Sequence, residues 1–250
     1  MGIRQEAVAG MFYPARKDEL KGMVSGFISN VPEMDFKSLK AIIVPHAGYV
    51  YSGQVAAYGF SLLKKSKPKK IIILGPSHFV DIEGIRSDAN EEWKMPFENV
   101  SLIENNIEKS MEAHKREHSL EVEVPFLQCV LDEFKIMPLV AGNADPAEIA
   151  EQILPYLKDS FLVISSDLSH YHDYDIAVSI DKNTLSSIAN LDYSKMLEEG
   201  EACGKIPILA AIILAKKLGW KCKLLQYRNS GDVTGEKGGV VGYASLALYK

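Results

Sequence analysis

The most informative part of the sequence for the architecture is the stretch Ile71-Ile72-Ile73-Leu74-Gly75-Pro76-Ser77-His78. Its apolar run is short, rich in β-branched residues and stopped by Gly and Pro, which is typical of a strand buried in a parallel sheet. A second stretch, Ala41-Ile42-Ile43-Val44-Pro45-His46, follows the same pattern. Because ligands bind beyond the carboxyl ends of the strands in open α/β sheets, we expect His46 and His78 to lie close together there.

Helical and strand patterns alternate along the rest of the chain. Apolar periodicity predicts helices at residues 16–29, 55–63, 119–134, 146–157, 175–189, 193–199 and 207–218. Short apolar runs predict strands at residues 41–45, 71–74, 135–141, 161–165, 222–228 and 239–248. This alternation predicts a three-layer α/β/α sandwich with a mixed, mostly parallel central sheet whose last two strands are antiparallel. No linker or repeat divides the chain, so residues 1–250 are interpreted as a single domain.

Two segments have less regular patterns. Residues 47–53 are rich in Gly and Tyr and are predicted to form a loop. Pro125 lies inside the predicted helix 119–134, which is therefore either kinked or begins at that proline.

Composition and charge restrict the class of protein. The net charge of −5, from 28 basic and 33 acidic residues, disfavours nucleic acid or an anionic membrane as the main partner. No apolar run approaches the roughly 20 residues that span a bilayer, and the N-terminus lacks the apolar core of a signal peptide. Three cysteines without a CxxC pair argue against a disulfide framework. We therefore expect a cytoplasmic protein.

Cys203 is the third residue that suggests a metal site. It precedes an apolar helix that is predicted to begin near Pro207, whose positive dipole end would favour the thiolate. A single histidine after a strand is more often structural, but two imidazoles and one thiolate at one sheet edge suit a transition metal with open coordination positions. Cys129 and Cys222 lie in apolar patterns and are interpreted as core or strand residues.

Asp167 and His170 follow the predicted strand 161–165 and are candidates for acid/base chemistry or for orienting a metal ligand. The structural alternative is that Asp167 caps the next turn and His170 packs on Tyr171. His118 begins a predicted helix and is a weaker candidate for the same pocket. His114 lies among charged residues and is predicted to be exposed.

Seven segments, in order along nearly the whole chain, resemble the Memo family. They are Ala9-Gly10-Met11-Phe12-Tyr13-Pro14, Val44-Pro45-His46-Ala47-Gly48-Tyr49, Leu74-Gly75-Pro76-Ser77-His78, Glu117-His118-Ser119-Leu120-Glu121, Ser165-Ser166-Asp167-Leu168-Ser169-His170-Tyr171, Ala202-Cys203-Gly204-Lys205 and Asn229-Ser230-Gly231-Asp232. Each segment alone is weak evidence, but their joint occurrence in this order is specific.

The resemblance implies a fold similar to that of the LigB-type class III extradiol dioxygenases, which hold non-haem Fe(II) on two histidines and a glutamate. It implies that His46 and His78 match the histidine ligands, and that Cys203 stands where the dioxygenases have the carboxylate. His170 matches a dioxygenase catalytic histidine, and Asp167 matches another pocket residue of Memo. Because a thiolate is softer than a carboxylate and can itself be oxidised, the exchange argues against ring-cleaving activity and toward copper or zinc besides Fe(II).

The resemblance also suggests partners. Animal members of the family are associated with copper- or iron-dependent redox activity and with phosphotyrosine peptides, and microbial members are often encoded beside a radical-SAM enzyme. Three hypotheses follow for this chain. The first is a metal-dependent oxidoreductase with an unknown small-molecule substrate, and the second is a non-catalytic module that binds a peptide or other ligand. The third is a metal-free hydrolase with Cys203 as nucleophile and His118 or His170 as base.

Overall fold

The computed structural model describes residues 2–250. The strands are β1 Ile3–Arg4, β2 Leu39–Val44, β3 Lys70–Pro76, β4 Ile85–Ser87, β5 Glu92–Trp93, β6 Val100–Ser101, β7 Lys135–Ala141, β8 Phe161–Ser165, β9 His170–His172, β10 Lys221–Asn229 and β11 Val240–Tyr249. The α-helices are α1 Lys17–Ser29, α2 Tyr49–Ser61, α3 Leu63–Ser66, α4 Met111–Lys115, α5 Val124–Val130, α6 Pro146–Ile153, α7 Tyr174–Ala189, α8 Tyr193–Glu199, α9 Lys205–Leu218 and α10 Ser230–Thr234. Short 3₁₀ segments cover Glu121–Glu123 and Leu154–Lys158.

The central sheet is eight-stranded and mixed, with the order β10-β11-β2-β8-β3-β7-β4 and with β9 paired to β11. Strands β2, β8, β3 and β7 are parallel neighbours at its centre. The predicted antiparallel pairing of the last two strands is confirmed, because β10 and β11 form an antiparallel pair that runs from Lys221↔Tyr249 to Asn229↔Gly242. A small separate sheet has the order β1-β5-β6.

The two faces of the central sheet bury two separate apolar clusters. In β3, Ile71 and Ile73 belong to the cluster that packs on α1, α2 and α5, whereas Ile72 and Leu74 belong to the cluster that packs on α6, α7 and α9. This alternation follows from the two-residue period of a strand that is buried on both faces. The predicted three-layer α/β/α sandwich is confirmed.

The predicted loop at residues 47–53 is wrong for most of its length, because α2 already begins at Tyr49. The Tyr49 ring is buried, and its hydroxyl donates to the Val122 carbonyl at 2.7 Å, so the tyrosine anchors the helix to the core. A Cβ at Gly53 would lie 2.5 Å from the Phe27 ring. The glycine therefore allows α1 and α2 to approach closely, and it does not mark a loop.

The segment predicted as helix 119–134 is divided and shorter. A 3₁₀ turn covers Glu121–Glu123, and α5 then begins at Val124 with Pro125 in its first turn. The structure thus supports the alternative in which the helix starts at the proline, whose missing N–H costs nothing there. The helix ends at Val130, because Leu131 has extended backbone angles.

In residues 2–250, no helix combines the length and the apolar character that a membrane crossing requires.

Candidate metal centre

Three polar side chains stand at the carboxyl ends of three neighbouring strands. His46 follows β2 by two residues, Asp167 follows β8 and His78 follows β3 at the same spacing. Because the strand order is β2-β8-β3, these residues lie side by side at one edge of the sheet, as the sequence predicted for the two histidines.

His46, His78 and His118 form a cluster that is compatible with a metal site. One ligand atom from each lies within 4.8 Å of the others. The ring centroids are 5.2 Å apart for His46 and His78, 5.5 Å for His46 and His118, and 4.6 Å for His78 and His118. His118, predicted only as a weaker pocket residue, is thus brought to the centre of the site, and any catalytic role for it stays a prediction.

Cys203 lies beside this histidine cluster and is not a member of it. Its Sγ is 3.3 Å from His46 Nε2. A nitrogen and a sulfur that bind the same tetrahedral ion are separated by about 3.6 Å, so this spacing fits shared coordination. The backbone N–H of Asp167 also donates to Sγ at 3.2 Å and fixes the position of the sulfur. The predicted role of Cys203 as a metal ligand remains a prediction.

The expectation that α9 favours a Cys203 thiolate is wrong for the metal-free protein. Burial and the nearby Asp167 carboxylate raise the pKa of the thiol to about 12, although backbone N–H groups oppose the shift. The helix begins at Lys205, and Gly204 intervenes between it and the cysteine. Desolvation of the anion and the Asp167 charge therefore outweigh the hydrogen bonds that favour the thiolate.

Glu117 supports two of the three histidines. Its Oε1 is 2.9 Å from His78 Nδ1 and 3.5 Å from His118 Nδ1, and its Oε2 accepts the backbone N–H of His78 at 2.6 Å. Burial alone would raise the pKa of Glu117, but the hydrogen bonds from His78 and Ser119 lower it to about 2. Such a carboxylate orients a ligand histidine and leaves its Nε2 directed into the site.

His46 is supported by a hydroxyl, with its Nδ1 2.7 Å from Ser165 Oγ. The His46 side chain is buried, and burial, aided by the proximity of the His118 and His78 imidazoles, holds its pKa well below the usual value. Burial also lowers the pKa of His118 to about 4. Both imidazoles are therefore neutral at pH 7, which is the form that binds metals.

The donor set fits a transition metal. Neutral imidazoles with an adjacent thiol suit iron, copper or zinc better than the hard cations Mg²⁺ and Ca²⁺.

Asp167 and His170 both lie at this site, in different settings. Asp167 Oδ1 accepts the backbone N–H of His46 at 2.8 Å, so the carboxylate supports the histidine loop. Burial raises the pKa of Asp167 to about 7, against the hydrogen bonds from His46 and Ala47. His170 begins β9, and its Nδ1 is 2.8 Å from the Leu168 carbonyl oxygen.

Some residues were wrongly placed or missed. His114 is fully buried and its Nε2 is 3.0 Å from the Arg86 carbonyl oxygen, so the prediction that it is exposed is wrong. Glu117, Ser165 and Glu123 were not predicted as part of the site. For Glu117 a signal existed, because it directly precedes His118, whereas the other two lie inside segments that look like ordinary core.

Comparison with known proteins agrees with the resemblance seen in the sequence. The family model described as Memo-like protein matches residues 4–247. The chain belongs to the Memo family. A MEMO1 family protein of Thermoplasma volcanium is 35% identical, with 98% of this chain and 97% of the relative covered. The corresponding figures are 36%, 97% and 97% for one from Thermoplasma acidophilum, and 35%, 98% and 98% for one from Nitrosopumilus maritimus.

Proposed function

We propose that this Memo family member is a metal-dependent oxidoreductase that holds non-haem iron or copper at the sheet edge. The observation that carries the proposal is the convergence of His46, His78 and His118 within 4.8 Å, with Cys203 Sγ at 3.3 Å from His46 Nε2. The two strand-end histidines are the core of the ligand set. His118 and Cys203 lie next to it and would complete three- or four-coordinate binding.

A bound iron or copper ion would supply one-electron redox chemistry. Asp167 orients the ligands, since it fixes the backbone of His46 through Oδ1 and the sulfur of Cys203 through its own N–H. His170 is assigned proton transfer. Its Nδ1 donates to the Leu168 carbonyl, which can only accept, so the neutral ring keeps a lone pair on Nε2 for a substrate proton.

Two cavities next to the cluster give a small-molecule substrate access. One has a volume of about 630 Å³ and is lined by His78, Cys203 and Lys205. The other has a volume of about 790 Å³ and is lined by Phe12, His118 and Arg116. Phe79 lines both cavities, and both have the size of ordinary ligand pockets.

The second candidate function is a non-catalytic module that binds a peptide or other ligand. The 790 Å³ cavity favours it, because exposed apolar side chains, among them Ile3, Met11 and Met111, line its wall. Binding that survives both His46→Ala and metal removal would support this function over the first. A link to a radical-SAM enzyme and a cytoplasmic location stay predictions.

Elemental analysis tests the first proposal. Protein purified anaerobically, without chelator or a nickel affinity tag, is expected to contain iron or copper, and His46→Ala is expected to lose it. His172→Ala is the matched control, because His172 pairs with Glu201 outside the cluster. Reversible reduction of the bound metal, followed by electron paramagnetic resonance, then tests for redox activity. Metal content that is equally low in all three proteins, also after reconstitution with iron or copper, would overturn the proposal.

A further inference from the structure

The Ser165 hydroxyl is buried at the end of β8 and has three polar neighbours. Its Oγ lies 2.6 Å from the Ser119 carbonyl oxygen, 2.7 Å from His46 Nδ1 and 2.8 Å from Glu123 Oε1. These distances are those of hydrogen bonds, so each of the three contacts needs a hydrogen between its heavy atoms.

The chemistry of the groups determines where these hydrogens come from. A serine hydroxyl donates one hydrogen and accepts two, and a backbone carbonyl can only accept. Ser165 must therefore donate to Ser119. The remaining two hydrogens must come from His46 Nδ1 and from Glu123, which together fill the two acceptor positions of Oγ.

The opposite arrangement fails on distance. If Ser165 donated to an ionised Glu123, its Oγ and the Ser119 oxygen would face each other at 2.6 Å with no hydrogen between them. That separation is well inside the range of an O–H···O hydrogen bond and is repulsive without one. The same conflict arises if the Ser165 hydrogen is directed to His46.

We propose that Glu123 is a neutral carboxylic acid that donates to Ser165 and thereby fixes His46 in the tautomer with its hydrogen on Nδ1. The lone pair of His46 is then on Nε2, the atom that lies 3.3 Å from Cys203 Sγ. Glu123 is thus a positioning residue for His46. The importance of Glu123 for metal binding rests on the function proposed above. The His46 tautomer is independent of that function.

The surroundings of Glu123 support the neutral acid. Its side chain is 0% exposed, and it forms no ion pair with any group in residues 2–250. Its Oε2 has no hydrogen-bond partner among these residues. Burial raises the pKa of Glu123 well above its usual value, and the Asp167 charge acts in the same direction. In the neutral acid the oxygen without a partner is an uncharged carbonyl oxygen. Its burial costs much less free energy than the burial of an unpaired, charged carboxylate oxygen.

The two strand-end histidines consequently have different electronic support. Glu117 is ionised and places a negative charge next to His78. The Ser165–Glu123 chain places a hydroxyl and a neutral acid behind His46. We expect His46 to be the less basic ligand of the two, because a carboxylate partner raises the basicity of an imidazole and a neutral one does not.

Nitrogen NMR on metal-free protein labelled with ¹⁵N-histidine tests the tautomer directly. The signal of His46, assigned by its loss in His46→Gln, is expected to show hydrogen on Nδ1 in the wild type. The same tautomer is expected in Glu123→Gln, whose amide still donates to Ser165. In Ser165→Ala a mixture of the two His46 tautomers is expected. Hydrogen on Nε2 of His46 in the wild-type protein would overturn the proposal, even if every variant failed to fold.

Infrared difference spectroscopy tests the acid. The wild type minus Glu123→Gln spectrum at pH 7 is expected to contain the carbonyl band of a protonated carboxylic acid. Glu117→Gln is the matched control, since it removes a buried carboxylate and should leave that band unchanged. A carboxylate band in the Glu123→Gln difference spectrum would overturn the proposal. Neither measurement needs a metal, so its failure is distinguishable from failure of the proposed function.

Metal affinity provides a third readout. Glu123→Leu removes the donor to Ser165 and is expected to weaken iron or copper binding by about 10-fold, the lower range for loss of an outer-sphere partner. Glu123→Gln is expected to restore most of the affinity. Equal weakening in both variants would show that a hydrogen donated to Ser165 does not support metal binding, and would overturn the positioning role.

Discussion

The Cys203 Sγ and the His46 Nε2 lie 3.3 Å apart and join the start of α9 to the end of β2. In the metal-free protein burial keeps the sulfur protonated, with a pKa of about 12. Because the spacing is already close to that of two ligands of one tetrahedral ion, a shared ion would need little movement of either side chain. Substitution of Cys203 therefore measures how much the sulfur contributes to metal binding.

Replacement of Cys203 by serine is expected to weaken copper binding more than iron binding, because copper(I) prefers soft sulfur ligands. The loss for copper is expected to exceed the roughly 10- to 100-fold that removal of an outer-sphere partner costs. Competition titration against a chelator measures both affinities. Cys129→Ser serves as the control, since Cys129 packs against the apolar core. Unchanged copper affinity in Cys203→Ser would mean that the three histidines bind alone.

Glu117→Gln is expected to lower iron or copper affinity by about 10- to 100-fold, because one carboxylate contacts both His78 and His118. The amide has nearly the same volume, so the effect reports the lost charge and acceptor. Glu108→Gln is a control at an exposed carboxylate that pairs with Arg86. The prediction fails if both variants bind metal as the wild type does.

The Cys203 thiol is expected to react slowly with iodoacetamide at pH 8, because a pKa of about 12 leaves little thiolate. Its rate should increase as the pH rises toward that pKa. Mass spectrometry of time-resolved alkylation measures the rate, with the chain unfolded in urea as the reference. Rapid stoichiometric labelling, together with an acyl-enzyme burst, would instead favour the cysteine hydrolase.

Gly204→Ala is expected to displace the loop that carries Cys203. A Cβ there would lie 2.7 Å from the Ser166 Cβ and 2.9 Å from the Ser165 carbonyl oxygen. We expect a destabilisation of about 1–3 kcal/mol, as for overpacking, together with weaker metal binding. Urea denaturation and chelator competition measure the two effects. Gly22→Ala is the control, since α1 offers open space there and alanine should stabilise the helix by about 0.5–1 kcal/mol.

Glu121 is not one of the proposed metal ligands. Glu121→Gln is nevertheless expected to destabilise the fold by about 3–5 kcal/mol, because it leaves the Arg4 charge buried and unpaired. The carboxylate also accepts the Tyr13 hydroxyl at 2.7 Å. Chemical denaturation gives the free energy of unfolding. Glu33→Gln removes an exposed pair with Lys65 and should leave the free energy of unfolding nearly unchanged. Similar values for both variants would contradict the assignment.

The sheet was predictable because its strands carry a simple signal. The apolar runs at 135–141 and 161–165 coincide with β7 and β8, and the histidines after β2 and β3 meet as the strand-end rule requires. The short strands β1 and β9 were missed, since two or three residues carry no readable period.

The surroundings of the ligands were not predictable. Glu123 alternates with valines in the sequence, and nothing in the sequence shows that it faces Ser165 of a distant strand. His114 has charged neighbours in sequence, yet its ring packs near Trp93 from another segment. Contacts over such separations depend on tertiary packing, which local patterns do not encode.

The three histidines of the cluster come from separate segments of the chain, and two of them follow the central strands β2 and β3 by two residues. An ion held there would bind only after those strands have taken their places on either side of β8, so its binding energy would be added to the folding of the sheet. Loaded protein should then resist heat and protect the amides of the four parallel strands from hydrogen exchange better than the metal-free form. The outer pair β10 and β11 should gain less.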